Sequence, residues 1–469
     1  QDQNKEVELS LLSKENISSL KNNNTYTVTT GHQLCLFTGP MYFIYKILTT
    51  INCCEYLNKT IPGKKFVPVY WMASEDHDAE EISSAIVFGK KITWETDQKG
   101  KVGSFSTKGI EKAIEELEQI LGEGEQNKEI INLLKNCYSK ETLADATRHL
   151  VNALFGKYGL VIIDGDSKQL KQLFVNELRN ELEHGFSYAA VNKTNASLKT
   201  EGYSLQVNPR EINLFLTRES MRERIEKNEN GYAVVNTNLQ FSEKEMTELL
   251  DSEPEIFSPN VILRPLYQQK ILPNIAYVGG PGEIAYWLQL KKEFTETGIH
   301  FPVLIPRKFA LLIDGPTQTK LQKTGINTKQ LFHDTEAIIK DFISGDAEQI
   351  NLVPEKDLIT KNFSELKQKA ESIDKSLGGT VDGELQKALK GIENIEQKII
   401  RAIKAKNETS INQIKNIKQK LFPENSIQER HDNFIPFWSK NANFIDDIKV
   451  AFETELSDLN QYLVLTERS

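Results

Sequence analysis

A turn from strand to helix, rich in glycine and repeated at two distant places, constrains this chain most. In residues 28–45 a β-branched run (Val28, Thr29, Thr30) leads into Gly31-His32-Gln33, then Gly39-Pro40, then a long apolar segment. Some 250 residues on, Ile275-Ala276-Tyr277-Val278 runs into Gly279-Gly280-Pro281-Gly282-Glu283 and a second helical stretch. Glycine lets the backbone approach a ligand, and a helix opening there points unpaired N–H groups and the positive end of its dipole at the same spot. The reading is an anion site at each turn, with Gly280 at a position where a side chain would hinder a positive φ. The plainer alternative is that these glycines only permit tight turns.

The intervening chain alternates in the way a parallel sheet requires. Residues 41–57 are apolar around most of a helix, and 66–73 form a continuous apolar strand ending in Ser74-Glu75-Asp76-His77-Asp78. Helix 142–158, strand 160–163 ending at Asp164-Gly165-Asp166, and helix 168–182 complete a β-α-β-α-β half of a doubly wound fold. Ligands of such folds bind beyond the carboxyl ends of the strands, so the acidic and histidine cluster falls beside Gly31 if the two strands are neighbours. Residues 185–255 break the rhythm with short strands (203–207, 213–216, 232–235) and a capping box, Ser242 with Glu245. Strands at 261–266 and 303–307 are expected to resume the sheet. From Thr317 the chain reads as helical, with four-and-three apolar spacing over 359–377 and 385–402: a helical hairpin with a coiled-coil seam. Ile411, Ile414, Ile417 and Leu421 extend the second helix beyond its partner. The closing segment 427–465 either packs back on the hairpin or pairs with a second subunit.

The expected domains are 1–184 and 259–316 as the two halves of the core, 185–258 as an inserted subdomain, and 317–469 as the helical coiled coil. A net charge of −9 argues against a non-specific nucleic-acid binder, and no apolar run approaches a membrane span. The protein is expected to be cytoplasmic. Four cysteines without metal-ligand spacing read as reduced thiols, Cys35 among them as packing. Because the chain opens at Gln1, it is expected to start inside a longer one.

Four blocks together resemble a known family, the bacillithiol biosynthesis enzymes described as cysteine ligases. They are Thr30-Gly31-His32-Gln33 with Thr38-Gly39-Pro40; Glu75-Asp76-His77-Asp78; Leu263-Arg264-Pro265-Leu266-Tyr267-Gln268; and Tyr277-Val278-Gly279-Gly280-Pro281-Gly282-Glu283 with Ala285-Tyr286-Trp287. The resemblance covers nearly the whole chain. It implies a Rossmann-like core similar to class I nucleotidyltransferases, an inserted connective-peptide subdomain, and a C-terminal coiled coil through which the family forms homodimers. It also implies an activity, adding L-cysteine to glucosaminyl-malate by an amide bond, with those two small molecules as partners. Position 32 is commonly glutamine in the family, so His32 is expected to hydrogen-bond and not to act as an acid or base. ATP with magnesium enters by analogy with synthetases only, since a full H-x-G-H motif and a K-M-S-K-S loop are both missing.

The candidate site follows from both readings. Asp76, His77, Glu75 and Asp78 are the catalytic candidates, with a solvated helix-capping turn as the alternative and an Asp-x-Asp metal site as a lesser one; no metal ligand is assigned. Gly31, His32, Gln33, Gly39, Arg264, Tyr267 and Arg307 are the substrate-binding candidates, the two arginines being placed at strand ends where guanidinium suits carboxylate or phosphate. Gly279, Gly280, Gly282 and Glu283 are the nucleotide or anion candidates. Other readings are a different nucleotidyltransferase or amino-acid-activating enzyme, and a non-catalytic dimeric scaffold that binds a ligand.

Overall fold

The computed structural model describes residues 2–348, 352–453 and 462–466. Its chain forms two compact units, Gln1–Phe309 with Glu429–Leu463, and Ala310–Gln428 with Val464–Ser469. That division differs from the expected one, which placed 317–469 in a single helical domain.

The first unit is built on a five-stranded parallel sheet. Its strands are β1 (Thr25–His32), β2 (Lys65–Met72), β3 (Val161–Asp164), β4 (Asn274–Gly279) and β5 (Val303–Pro306), in the order β5-β4-β1-β2-β3. The sheet grows one way from β1 through β2 to β3, then returns on the other side of β1, so a topological switch lies between β1 and β4. Register sets the strand ends side by side: Gly31 pairs with Trp71 and His32 with Met72, while Thr29 pairs with Tyr277. Both faces are covered, which is why β1 and β2 are apolar or β-branched throughout and almost fully buried. The buried polar groups find partners, with the Thr27 and Thr29 hydroxyls donating to Asn274 Oδ1 at 3.1 and 2.8 Å. Helix α1 (Tyr42–Thr60) packs on β1 and β2 and buries most of its length, including Lys46.

The chain between β3 and β4 departs from the expected strands in two places. Residues 203–207 form no strand; Gln206 and Val207 N–H instead donate to the buried Gln289 Oε1 at 2.8 and 3.1 Å. The run at 261–266 is not a strand either, but the start of helix α2 (Leu263–Ile271). Asn260 Oδ1 accepts from Ile262 N and Leu263 N at 2.8 and 3.4 Å, opening that helix, and Pro265 sits in its first turn, where its missing N–H costs nothing. The strands that do form (Leu214–Arg218, Met221–Asn228, Gly231–Val234, Gln240–Phe241 and Phe257–Pro259) make one antiparallel sheet. The expected capping box of Ser242 and Glu245 opens helix Glu243–Ser252.

In the second unit, helices Val353–Ile373 and Leu377–Lys406 form the expected hairpin, with Lys356–Glu396 and Lys367–Asp382 ion pairs across it at 2.7 and 2.6 Å. Asn407 ends the second helix, and Glu408–Leu421 is a helix of its own. The sequence leaves its stripe Ile411, Ile414, Ile417 and Leu421 to be covered by a second copy or by the closing segment. Instead these residues are 7, 1, 2 and 0% exposed, because the helix packs on Gly315–Thr324 and Thr335–Glu348.

The closing segment, 427–465, is divided between the two units. Its described part, up to residue 453, rejoins the first unit: Asp432 carbonyl accepts from Met41 N at 2.8 Å, and Asn433 Nδ2 donates to the carbonyls of Phe37 and Gly39 at 2.8 and 2.6 Å. A strand at Tyr462–Thr466 interrupts the expected all-helical run, and residues 454–461 of that segment lie outside the described residues. Among the described residues no helix is long and apolar enough to cross a membrane.

Candidate functional site

A cleft of about 710 Å³ opens at the carboxyl ends of β1, β2, β4 and β5, over the switch point. Of the expected residues it gathers Gly31, His32, Gln33, Glu75, Asp76, His77, Arg264, Gly280, Gly282, Glu283 and Arg307. Gly39, Asp78, Tyr267 and Gly279 do not line it.

Each of the four has a structural task. Gly39 takes φ +68°, and a Cβ there would lie 2.7 Å from Cys35 Cβ. Asp78 caps the helix Ala79–Ile82 by accepting from Glu81 N at 2.9 Å. Tyr267 is buried with its hydroxyl on the Gly165 carbonyl at 2.7 Å and its ring edge-on to Trp71. Gly279 is the last residue of β4, where a Cβ would press on Glu283 and Tyr277 at 3.2 Å.

At each helix N-terminus expected to receive an anion, one N–H is taken by the protein's own groups. Helix α3 (Pro281–Gln289) is capped by its own Glu283, whose carboxylate accepts from Gly280 N at 2.8 Å. That carboxylate also accepts from Tyr277 Oη and from Lys46 Nζ, each at 2.8 Å, and Lys46 donates to the Gly31 carbonyl as well. Glu283 therefore ties the two glycine turns together. Burial opposes its charge, but Lys46 and the Gly280 and Tyr277 donors outweigh it and hold the carboxyl below its ordinary range. At α1, Met41 N is taken by the Asp432 carbonyl.

Side chains supply the positive field instead. Arg264 is on helix α2, not at a strand end; its Nη1 donates to Gln268 Oε1 at 3.0 Å, while buried Nη2 makes no well-formed hydrogen bond. Arg307 follows β5, paired with Glu429 at 2.5 Å, and its buried Nε is likewise unsatisfied. Such orphaned guanidinium donors are costly unless a ligand meets them.

The acidic edge is held by its own contacts. Asp76 Oδ2 accepts from Gln33 Nε2 at 3.0 Å, and Oδ1 accepts from His77 N at 2.7 Å. Glu75 is neutralised by buried Lys171 at 2.5 Å. His77 Nδ1 accepts from Arg222 Nη1 at 2.8 Å, so its proton resides on Nε2 and the Nδ1 lone pair is spent. Partial burial and Arg222 both push its imidazole below the ordinary value. His77 thus positions Arg222 in this geometry. His32 is buried against Tyr42 and Phe43; burial and nearby Lys46 push it down to about 3, so it is neutral. Burial pushes the neighbouring Cys35 thiol up to about 12, which leaves no nucleophilic thiolate. Asp164 ends β3 and Asp166 lies in the loop after it, and neither lines the cleft.

Two family models match the chain: "Bacillithiol biosynthesis BshC, N-terminal Rossmann-like domain" over residues 1–308, and "Bacillithiol biosynthesis BshC, C-terminal coiled-coil domain" over residues 310–463. The chain belongs to the BshC family. Among its relatives are proteins named "Putative cysteine ligase BshC" from Flavobacterium psychrophilum, 45% identical over 91% of this chain and 80% of that one, and from Cytophaga hutchinsonii, 42% identical over 95% and 84%. The Salinibacter ruber protein of the same name is 32% identical over 97% of this chain and 86% of its own. A solved structure titled as a putative arginyl tRNA synthetase from Campylobacter jejuni aligns with 96% of this chain and 95% of its own at 12% identity, but its TM-score of 0.25 carries no argument. The expected Rossmann-like fold with a coiled-coil domain and the bacillithiol family assignment are thereby met.

This BshC-family cleft also contains residues that the sequence reading passed over. Lys46 joins the two turns; a lysine in the middle of the buried apolar run 43–54 was the signal for it. Arg210, Phe215, Arg222 and Arg224 come from the inserted subdomain, and Arg430 from the closing segment. They carry no motif and lie far in sequence from the glycine turns.

Proposed function

We propose that the protein joins the carboxyl group of L-cysteine to the amine of glucosaminyl-malate, forming the amide of bacillithiol. The observation that carries this reading is that the guanidinium groups of Arg264 and Arg307 and the carboxylate of Asp76 line the same cleft. Guanidinium suits the carboxylates of cysteine and malate, and a carboxylate suits an ammonium group. Asp76 takes the proton that the glucosamine nitrogen must shed before it attacks the cysteine carbonyl carbon, and Gln33 holds Asp76 in place. Arg264 and Arg307, with unsatisfied donors, stabilise negative charge on the cysteine carboxyl oxygens. The Lys46–Glu283–Tyr277 network keeps the two glycine turns in fixed register around the reacting groups.

One oxygen must leave the cysteine carboxylate as the C–N bond forms. ATP with magnesium would supply a phosphoryl or adenylyl group to carry that oxygen away, and Arg264 and Arg307, with their unsatisfied donors, would hold its phosphates. Incubation with cysteine, glucosaminyl-malate, ATP and magnesium, read by product mass and nucleotide release, tests the reading. Amide product with AMP or ADP is expected. No product with any nucleotide would sink it in favour of a ligand-binding scaffold, and a different acceptor would favour another amino-acid-activating enzyme.

A further inference from the structure

The antiparallel hairpin of Leu214–Arg218 and Met221–Asn228 gives the cleft a wall that the central sheet does not build. Alternation along Met221–Asn228 puts Arg222 and Arg224 on one face, and cross-strand pairing sets Phe215 beside Arg224 on that same face. Arg222 lies with its guanidinium carbon 3.9 Å from the Phe215 ring centroid. Three donors fix its plane: Nε to Ser258 Oγ at 3.1 Å, Nη2 to the Pro259 carbonyl at 3.3 Å, and Nη1 to His77 Nδ1 at 2.8 Å. All three acceptors are neutral, and among the described residues no carboxylate forms an ion pair with Arg222. Arg224 pairs with the exposed Glu226 at 2.5 Å, and among the described residues its buried Nε has no hydrogen-bond partner. Arg210, on the loop before the hairpin, also lines the cleft without an ion pair among the described residues.

A cation held rigid by neutral groups and an aromatic face has lost little freedom to gain by pairing internally. It is prepared for an anion that arrives from outside. We infer that this wall recognises a dicarboxylate, the malate end of the acceptor, with Arg222 as the specificity-determining residue and His77 as the group that positions it. The inference rests on the proposed function for its substrate. The shared chemistry is a pair of oxyanions, for which the phosphates of a nucleotide are the competing source.

Equilibrium titration of the full chain with three probes separates these sources: glucosaminyl-malate, methyl glucosaminide (the same sugar without carboxylates) and ATP. In Arg222→Met, glucosaminyl-malate should bind about tenfold or more weakly, while methyl glucosaminide and ATP stay within about twofold. Arg222→Lys should recover only part of the loss, since an ammonium cannot reproduce the fork. Arg210→Gln, a change at a side chain without an ion pair among the described residues, carries the test if Arg222 variants do not fold, and should weaken the same probe selectively. Unchanged affinity for glucosaminyl-malate in these variants, or a loss confined to ATP, would overturn the inference. So would a wild-type protein that does not bind glucosaminyl-malate. Binding that follows this pattern without amide product would instead remove the proposed function and leave the dicarboxylate wall standing.

Discussion

His32 shows how burial sets chemistry at a single residue. Its imidazole is pushed down to about 3, whereas in the unfolded chain it titrates near its ordinary value of about 6.5. Above about pH 6.5 both states are neutral there; as pH falls toward 3 only the unfolded chain takes up the proton, so stability is lost on acidification. Between pH 7 and 4.5 this residue alone should remove roughly 2–3 kcal/mol. Denaturant midpoints across that range should therefore fall less steeply in His32→Gln than in the parent, and parallel slopes would place the imidazole in a wetter site. The acidic loop should behave in the opposite sense. Asp76→Asn and His77→Ala alter half-exposed loop residues, so they should shift stability by about 0.5 kcal/mol or less yet cut turnover or ligand binding by at least about tenfold. Large destabilisation with unaltered binding would assign both residues to structure alone. Which residues crowd this loop was legible, because a polar cluster following an apolar strand has few places to go. That His77 spends its lone pair on Arg222 was not, since the partner lies 145 positions away on a hairpin with no motif.

At the scale of elements, the glycine turns were recognisable but their tasks were not. Gly280 has φ −74°, and a Cβ there would meet Glu283 Oε2 at 3.5 Å and Arg307 Nε at 3.7 Å, so the expected positive φ is absent and the fold has room. Gly280→Ala should keep the parent's stability while narrowing the cleft and weakening substrate binding. Gly39→Ala should do the reverse, costing about 1–3 kcal/mol through its positive φ and the Cys35 clash, with little effect on ligand contacts. Thermal melts paired with KM values distinguish the two, and equal behaviour would contradict this division. The helix carrying Arg264 shows why a short apolar run misleads. Val261 to Leu266 satisfies a buried strand as well as a buried helix, and only Asn260 as a cap and Pro265 in the first turn tip it toward helix. The parallel strands were easier, because burial on both faces leaves a continuous apolar signature that few other elements share.

For the whole molecule, the helical unit changes the argument about assembly. Ile411, Ile414, Ile417 and Leu421 are covered within the chain, so Ile414→Glu with Ile417→Glu should unfold that unit instead of merely dissociating a dimer. The hairpin itself leaves apolar side chains uncovered: Leu358, Leu366, Ile373 and Ile395 are 59, 51, 84 and 54% exposed. A two-helix hairpin has no third surface with which to bury both flanks of its seam, and we propose that a second copy supplies it. Sedimentation should show a dimer at micromolar concentration that Leu366→Glu with Ile373→Glu converts to folded monomer. A monomeric parent would contradict this. The heptad spacing announced the hairpin; it could not announce which stripe a neighbouring helix would cover, because Asn407 breaks the helix where the sequence period only slips. The central claim is that the cleft over the β1–β4 switch point is where the acceptor binds. A crystal structure with glucosaminyl-malate bound tests it most directly: the account predicts the sugar amine within hydrogen-bonding distance of Asp76 and the malate carboxylates against Arg222, and a ligand seated anywhere outside this cleft would contradict it.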